Sequence, residues 1–362
     1  MKELADILAA WRARPDAVAA LATVAQTEGS SYRRPGARML ILKSGETIGS
    51  ISGGCLERDV ADKAEGVRAS GAPLLLTYDT GTEEDIVFGA GLGCKGVVRI
   101  LLEPVRAELM RFLNNIFDNR AAGVVATIFR AEGGTARVGD RLTLADSGEM
   151  ATSLAPGATQ DWLACEAREA LRRGRTKEAR LEGGGATVEA LVEAIQGPQP
   201  LVIFGAGYDA VPLTRMAREL GCHVTVVDAR PAYADAERFP AADAVIVARP
   251  EQLQEKITLT ERTAVVVMSH HYLTDAAVFQ ALAPQKLRYL GLMGPRKRAE
   301  KMAAEHSLSL DGVHNPIGLD IGAETPEQIA LAILAEIQAA AAGRPGGSLR
   351  ERPGPIHRMG VK

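Results

Sequence analysis

The sequence predicts an α/β protein, with an N-terminal mixed α/β domain followed by a C-terminal Rossmann-like domain, a doubly wound parallel sheet. The clearest observation is residues 201–228, in which an apolar strand, a Gly-Ala-Gly turn, a helical pattern and a second apolar strand follow in that order. This order is typical of the opening βαβ unit of a dinucleotide-binding fold. In addition, a length of 362 residues with 46% hydrophobic residues suits two packed domains.

Apolar patterns of period 3.6 and period 2 alternate along residues 1–185, which we assign to the N-terminal domain. In chain order the predicted elements are a helix within 1–14, strands at 18–26, 37–42 and 48–52, a helix at 56–69, strands at 74–78 and 97–102, a helix at 106–120, strands at 123–129 and 141–144, and a helix at 162–173. We find no internal repeat in this pattern.

Residues 186–199 are predicted to form a linker with a short helix, because glycines and prolines frame the segment. The Rossmann-like domain then spans 200–342, and Thr325-Pro-Glu-Gln begins its final helix with a capping-box sequence. Its further strands are predicted at 244–248, 264–268 and 287–291. Residues 343–362 are rich in Gly, Pro and Arg and predict a disordered tail.

Composition argues against several classes of partner. The net charge of −3 gives no bias toward nucleic acid. No apolar run approaches the roughly 18 residues that a membrane span needs, and the amphipathic N-terminal helix does not resemble a signal peptide. The four cysteines are scattered without a CxxC pair, which favours a reducing, cytoplasmic location over a disulfide framework or a zinc site.

The glycine turn of the Rossmann-like domain carries a predicted nucleotide site. Gly205 allows a sharp turn into the helix, and Gly207 leaves room for a pyrophosphate beside the helix N-terminus, which favours anions. Asp228 ends the second strand, where a carboxylate accepts a ribose diol and repels a 2′-phosphate, so NAD fits better than NADP. The alternative is that the fold is present without a nucleotide.

A first turn that combines glycine with cysteine is GSISGGCLE, residues 49–57. Gly53 and Gly54 permit close backbone approach, and Cys55 lies before a helix N-terminus, where a thiolate is stabilised. Such a turn suits an anion, a soft metal or an electrophilic sulfur. The alternative is a tight turn around a buried, inert cysteine.

A second such turn is VFGAGLGCKGV, residues 87–97. Glycines including Gly91 and Gly93 surround Cys94, and a loop of this kind can direct several N–H groups at one oxyanion. It is not a P-loop, because the GxxxxGK[ST] spacing is absent. The alternative is a flexible glycine loop.

Basic and histidine-containing turns supply the remaining candidates. Arg33 and Arg34 lie in a Gly- and Ser-containing turn and suit a phosphate or a ring carbonyl. His270 follows a parallel strand, where it could bind a metal or transfer protons, and Gly294 with Arg296 forms a basic turn after the next strand. The alternatives are solvated turns and a structural histidine. No Tyr–Lys or His–Asp arrangement of the common dehydrogenases is evident.

Long segments of the chain resemble the XdhC/CoxI family. TVAQTEGSSYRRPGARMLI, GSISGGCLE and VFGAGLGCKG are similar to its N-terminal part. FGAGYDAVPL through VTVVD, MSHHYLTDAAV, YLGLMGPRKR and NPIGLDIGAETPEQIALAILAEI are similar to its C-terminal Rossmann part. The resemblance covers most of the chain, although residues 106–195 contribute little to it.

This resemblance implies a chaperone without turnover chemistry of its own. Members of the family mature molybdenum hydroxylases such as xanthine dehydrogenase. They bind the molybdenum cofactor (molybdopterin), protect it while its terminal sulfido ligand is installed, and deliver it to the apoenzyme. The implied partners are a cysteine desulfurase and the large subunit of a hydroxylase, and a homodimer is expected.

The resemblance also assigns roles to the candidate residues. Cys55 becomes the first candidate for contact with molybdenum or the incoming sulfur and Cys94 the second, because soft ligands suit soft centres. The glycine turns and arginines would hold the phosphate of molybdopterin. Asp228 suits a ribose, which bare molybdopterin lacks. The Rossmann site therefore binds a separate nucleotide, a dinucleotide form of the cofactor, or nothing.

Two other functions stay open from the residues. An NAD-dependent oxidoreductase would use Gly205, Gly207 and Asp228, with His270 as its acid or base. A thiol-based sulfur or redox carrier would instead use the two cysteine turns of the N-terminal domain.

Overall fold

The computed structural model describes residues 2–29, 31–79, 96–183 and 185–353. The chain divides into two compact units, Met1–Gly197 (unit 1) and Pro198–Lys362 (unit 2). Unit 1 contains, in order, α1 (Lys2–Ala13), β1 (Val18–Gly29), β2 (Arg38–Leu42), β3 (Thr47–Gly49), α2 (Glu57–Asp62), α3 (Ala64–Ser70), β4 (Leu74–Asp79), β5 (Gly96–Glu103), α4 (Ala107–Asp118), β6 (Ala122–Glu132), β7 (Arg141–Ala145), β8 (Met150–Thr152), α5 (Ala158–Arg173), β9 (Lys177–Gly183) and β10 (Ala186–Gln196).

The described residues of unit 1 form two antiparallel sheets. Their strand orders are β3-β2-β1-β5-β4 and β8-β7-β6-β10-β9. Helices α2 and α3 bury Val60, Ala64 and Val67 against the first sheet, and α5 buries Leu163 and Ala167 against the second. Each sheet thus has one face covered by a helix whose apolar side chains it removes from water.

Strand β10 stands where the sequence predicted a linker helix. Ala186–Gln196 pairs antiparallel with both β6 and β9, so it is a central strand of the second sheet. Glu189 and Glu193 are four residues apart, which is typical of an exposed helix face. In the structure both are buried: Glu189 faces Arg130 of the adjacent strand β6, and Glu193 faces Arg38 of β2 in the other sheet. The helix prediction was therefore wrong because tertiary ion pairs overrode the local pattern.

The two halves of unit 1 are repeats of one fold, which corrects the expectation of no internal repeat. Equivalent strands occupy equivalent places in the two sheets, and a helix precedes each set. Residues 34–46 (RPGARMLILKSGE) also match residues 137–149 (RVGDRLTLADSGE). Gly36 and Gly139 lie at matched positions with φ of +95° and +90°. The repeat escaped detection because identities are concentrated in this one short stretch.

Two reciprocal ion pairs join the sheets of unit 1. Arg38 of β2 pairs with Glu193 of β10 at 2.6 Å, and Arg141 of β7 pairs with Glu103 of β5 at 2.7 Å. All four residues are buried, and the two pairs are equivalent under the repeat. Because each arginine reaches a strand of the other sheet, neither repeat can satisfy its own buried charge.

The repeats differ where the first one carries candidate residues. The turn before α2 contains Gly53, Gly54 and Cys55, whereas residues 153–157 before α5 contain no cysteine. Sixteen residues, 80–95, lie between β4 and β5, whereas only two lie between β9 and β10.

Unit 2 has the predicted fold. Its elements are β11 (Pro200–Phe204), α6 (Ala210–Glu219), β12 (His223–Asp228), β13 (Ala244–Val247), α7 (Leu253–Lys256), β14 (Ala264–Val267), α8 (Tyr272–Leu282), β15 (Tyr289–Leu292), α9 (Arg296–His306), β16 (Val313–His314) and α10 (Pro326–Ala341). All strand pairs in the order β13-β12-β11-β14-β15-β16 are parallel. This is the doubly wound order, and the fold class is confirmed. Buried clusters lie on both faces of the sheet.

The strand order of unit 2 reverses between β11 and β14, so their carboxyl ends flank the crevice at which such sheets bind ligands. The capping box at Thr325 is also present, with the Thr325 side chain accepting from the Gln328 N–H. Of the predicted tail, residues 354–362 lie outside the described residues, and Leu349–Glu351 forms one turn of 3₁₀ helix.

Two features are absent from the described residues. No helix there is long and apolar enough to cross a membrane. Within the same residues, no group of three or more His, Cys, Asp or Glu side chains is placed to hold a metal ion.

Candidate functional site

The turn between β3 and α2 presents Cys55 at the surface. β3 ends at Gly49 with a φ of +86°, and a Cβ there would lie 2.4 Å from the carbonyl oxygen of Arg38. Gly54 has a φ of +109°, in the region that favours glycine. Gly53, Gly54 and Cys55 are all exposed. The expectation of a buried cysteine, which was the alternative, is therefore wrong.

The carboxylate of Glu57 organises this turn from inside. Its Oε1 accepts hydrogen bonds from Ser50 Oγ (2.8 Å), Ile51 N (3.2 Å) and Ser52 N (2.8 Å). Its Oε2 accepts from Ser52 Oγ and from Leu56 N. Burial alone would raise the pKa of Glu57, but these donors outweigh it and lower the pKa. The carboxylate therefore stays ionised and holds the turn in one conformation.

The hydroxyl of Ser52 also accepts hydrogen bonds from N–H groups of the turn. Its Oγ accepts from Gly54 N (3.1 Å), Cys55 N (3.2 Å) and Leu56 N (3.2 Å), and the Cys55 thiol lies 3.4 Å away. The N–H groups of Gly54 and Cys55, which the sequence offered to an anion, are thus engaged within the turn. Cys55 itself is exposed, and its thiol donates to Ser52 Oγ.

The arginine-containing turn between β1 and β2 lies beside the Cys55 turn. The ring of Tyr32 lies against Gly53, with ring atoms 3.6–3.9 Å from the position of a Cβ on that glycine. Arg33 pairs with Glu3 of α1, so its guanidinium is occupied. Arg34 is exposed, and no side-chain partner is found for it in the described residues. The structure thus leaves one of the two predicted arginines exposed, two residues after the tyrosine that contacts the Cys55 turn.

The second glycine–cysteine turn, with Gly91, Gly93 and Cys94, lies outside the described residues. Cys165 on α5 is exposed, and Cys222 before β12 is half-buried. Burial, with a contribution from the Asp243 carboxylate, raises the pKa of Cys222 to about 11.

In unit 2 the predicted glycine turn lies at the switch-point crevice. Gly205 has a φ of +113°, and a Cβ there would lie 2.5 Å from the backbone of Met268 after β14. His270 lies on the same side: its Cδ2 is 3.9 Å from the Cβ position of Gly207. His270 Nε2 hydrogen bonds to Asp209 Oδ2 at 2.6 Å. A His–Asp pair, which the sequence did not reveal, therefore flanks the turn.

His270 and its neighbour His271 take different roles. His270 has a φ of +60°, rare for a residue with a side chain, and its imidazole is more than half exposed. His271 is the N-cap of α8, where its Nδ1 accepts from Thr274 N at 3.3 Å. The interpretation as a structural histidine thus fits His271.

The carboxylate of Asp228 is already in use. Oδ1 accepts from Arg230 N and Nε, both at 2.9 Å, and Oδ2 accepts from Ala206 N (2.9 Å) and Arg230 Nη2 (2.8 Å). Burial would raise the pKa of Asp228, but these hydrogen bonds lower it. Arg230 also lies over the ring of Tyr233 at 3.7 Å. A ribose would have to compete with Arg230, and the guanidinium offsets the charge expected to repel a 2′-phosphate.

The basic turn after β15 is held by its neighbours. Gly294 has a φ of +113°, and its carbonyl accepts from Asn315 Nδ2 at 3.1 Å. Arg298 pairs with buried Asp275 at 2.6 Å, and Asp275 also accepts from the hydroxyl of Ser269. Arg296 is exposed, without an ion pair in the part of the chain that the structure describes. Arg296 and Gly294 stay predictions as ligand contacts.

Sequence reasoning missed several residues of both sites. Ser52 and Glu57 carried a local signal, since a carboxylate a few residues after a Ser-rich glycine turn often caps it. Asp209 had no local signal, because it meets a histidine 61 positions away. Arg230 lies two residues after Asp228, but the sequence does not show that its guanidinium turns back onto that carboxylate.

Comparison with known proteins assigns the family. A model of the XdhC Rossmann domain matches residues 201–337, and a model of the XdhC and CoxI family matches residues 11–79. A protein of Bacillus subtilis (strain 168), named as a probable xanthine dehydrogenase subunit, is 34% identical over 88% of this chain and 92% of its own length. "Molybdenum cofactor insertion chaperone PaoD" of Escherichia coli (strain K12) is 22% identical over 88% of this chain and 82% of its own length.

A solved structure extends the similarity over the whole chain. A crystal structure described as a xanthine dehydrogenase from Bacillus halodurans is 28% identical in sequence, covers 98% of both chains and superposes with a TM-score of 0.78. The resemblance read from the sequence is confirmed, and the chain belongs to the XdhC and CoxI family.

Proposed function

We propose that the protein is an accessory factor that binds the molybdenum cofactor, protects it during sulfuration and delivers it to a molybdenum hydroxylase of the xanthine dehydrogenase type. In this proposal it works in the cytoplasm as a homodimer, and the incoming sulfur comes from a cysteine desulfurase. The names of the relatives support the accessory role: one is called a subunit of xanthine dehydrogenase, the other a molybdenum cofactor insertion chaperone.

The observation that carries the proposal is the exposed thiol of Cys55 in a turn held by internal hydrogen bonds. A thiolate is a soft ligand and a nucleophile, so it suits molybdenum or a sulfur in transfer. Because Glu57 and Ser52 hold the surrounding backbone, little conformational entropy is lost when the thiol is engaged. The cofactor would supply the redox-active metal, and this chain would supply an exposed cysteine in a hydrogen-bonded turn, with Arg34 as an exposed cation in the turn that contacts it through Tyr32.

The proposal is tested by purifying the protein from a host that makes molybdenum cofactor and measuring bound molybdenum and pterin per chain. Cys55→Ser is expected to lower both contents and the rate of activation of an apo-hydroxylase. Cys165→Ser is the matched control, because Cys165 is also exposed but lies on α5 of the second repeat, away from any glycine turn.

One result would refute the carrier role, and another would refute the role of Cys55 in it. A wild-type protein that never carries the pterin is not a carrier. A Cys55→Ser variant that retains and transfers the cofactor like the wild type removes Cys55 from the mechanism, even if the carrier role survives.

A second candidate function rests on the Asp209–His270 pair. In the tautomer whose Nε2–H donates to Asp209 Oδ2, Nδ1 of His270 carries a lone pair at the crevice, the arrangement an oxidoreductase would use for proton transfer. NADH titration followed by nucleotide fluorescence tests it. Absence of binding at millimolar NADH eliminates this candidate; binding that His270→Asn leaves intact, with loss of turnover, would favour it.

A further inference from the structure

Tyr32 is an unusually exposed aromatic residue for a rigid turn. Its relative exposure is 74%, among the highest of the large apolar side chains in the described residues. The ring lies against the backbone of Gly53, which has no side chain to cover it. The rest of the ring is therefore open to solvent, and an open aromatic face is available for stacking.

The backbone on both sides of Tyr32 is anchored. Ser31 Oγ donates to the carbonyl of Arg33 at 2.8 Å, and Arg33 itself pairs with Glu3 of α1. Farther along, Ala37 N donates to the carbonyl of Arg34 at 3.0 Å. The ring therefore projects from a fixed turn, and little backbone freedom is lost when something packs on it.

Tyr32 links the two turns that the proposed carrier role uses. Its ring contacts Gly53, two residues before Cys55, and it precedes the exposed Arg34 by two residues in its own turn. A soft sulfur, a flat ring and an exposed guanidinium thus belong to two adjoining turns. A ligand with a metal-bound sulfur group, a planar heterocycle and a phosphate offers a partner to each of the three.

We propose that the part of the Tyr32 ring that does not lie against Gly53 is the stacking platform for the pterin ring of the cofactor, with Cys55 toward the metal end and Arg34 toward the phosphate. The inference rests on the proposed function and adds the residue that recognises the heterocycle. Only the ring is needed, because stacking uses the aromatic face; the hydroxyl contributes a hydrogen bond at most.

The test compares three variants of the full chain, purified with copurified molybdenum cofactor. Tyr32→Ala is expected to raise the rate of cofactor loss on anaerobic dialysis roughly tenfold, the size expected for one lost heterocycle–aromatic stack. Tyr32→Phe is expected to behave as the wild type. Tyr208→Ala is the matched control, because Tyr208 is 76% exposed and also lies in a glycine turn, but in unit 2.

The absorption band of the bound pterin gives a second readout that a general loss of stability would not reproduce. Stacking on an aromatic ring perturbs this band, so Tyr32→Ala should shift it and Tyr32→Phe should not. If Tyr32→Ala keeps both the wild-type release rate and the band, the inference is overturned while the carrier role stands. If Tyr208→Ala alone releases the cofactor, the platform lies in unit 2. If the wild type carries no pterin, both the inference and the proposed function fail.

Discussion

The buried pair of Arg38 and Glu193 offers the sharpest test of how unit 1 is assembled. Their side chains are 7% and 3% exposed, and their charged atoms are 2.6 Å apart. Glu193→Gln keeps the shape of the side chain but removes the charge that compensates Arg38. The guanidinium then has two neutral acceptors, the carbonyl of Gly36 at 3.2 Å and the retained amide oxygen at position 193, and its Nε has no partner among the described residues.

Removing one partner of a buried ion pair costs about 3–5 kcal/mol, and the retained amide oxygen places the expected loss near the lower figure, about 3 kcal/mol. Glu28→Gln is the control: Glu28 pairs with Arg99 but is 57% exposed, so its loss is expected to cost less than about 1 kcal/mol. Glu103→Gln should match Glu193→Gln, because the repeat makes the two pairs equivalent.

Urea unfolding followed by tryptophan fluorescence reports on unit 1 by itself. The chain has two tryptophans, Trp11 on α1 and Trp162 on α5, one in each repeat. A loss for Glu193→Gln no larger than that for Glu28→Gln would refute the reasoning. Replacing both charges, as in Arg38→Met with Glu193→Leu, should restore most of the stability, because no uncompensated charge remains.

Three further predictions concern single groups. The pKa of Glu57 is lowered, so the stability that its carboxylate gives unit 1 is complete above the ordinary pKa of 4.5 and is lost as the pH falls through the pKa of the folded state. The Glu57→Gln variant should lack this part of the pH dependence when acid unfolding is followed by tryptophan fluorescence. Iodoacetamide at about pH 8 should label Cys55 and Cys165 well before Cys222, as measured by peptide mass spectrometry. The pKa of about 11 leaves roughly one Cys222 thiol in a thousand ionised at that pH. Equal labelling would contradict the burial of Cys222. Gly205→Ala should destabilise unit 2 by at least about 2 kcal/mol, because the added Cβ would clash with the backbone of Met268 and the backbone φ is positive. Thermal unfolding followed by circular dichroism measures the loss. Gly347→Ala is the control and should be near neutral, because nothing lies within 4 Å of its Cβ position.

The parts that sequence reasoning predicted well are those in which the signal is contiguous. Residues 201–228 contain a strand, a turn, a helix and a strand without interruption, and β11, α6 and β12 follow that pattern. The helix cap at Thr325 was equally local. Residues 186–196 were misread for the opposite reason: glutamates at helical spacing are buried only because arginines on other strands meet them.

At the candidate site, the sequence singled out the Cys55 turn but not the way it works. Its glycines suggested N–H donors for an anion, whereas Ser52 and Glu57 accept from N–H groups of the turn and the Cys55 residue stays exposed. Likewise, Arg33 and Arg34 are equivalent in sequence, but Glu3 from α1 occupies the first. Which donor is free depends on neighbours that the local pattern does not contain.

The sequence by itself determined the family, the Rossmann unit and the positions of the glycine turns, because each depends on residues adjacent in the chain. Only the tertiary structure decided that unit 1 is a repeat closed by Arg38–Glu193 and Arg141–Glu103, that Tyr32 lies on Gly53, and that His270 meets Asp209. These contacts join residues from about twenty to more than a hundred and fifty positions apart. The folded backbone brings them within a few ångströms, and no local pattern encodes that proximity.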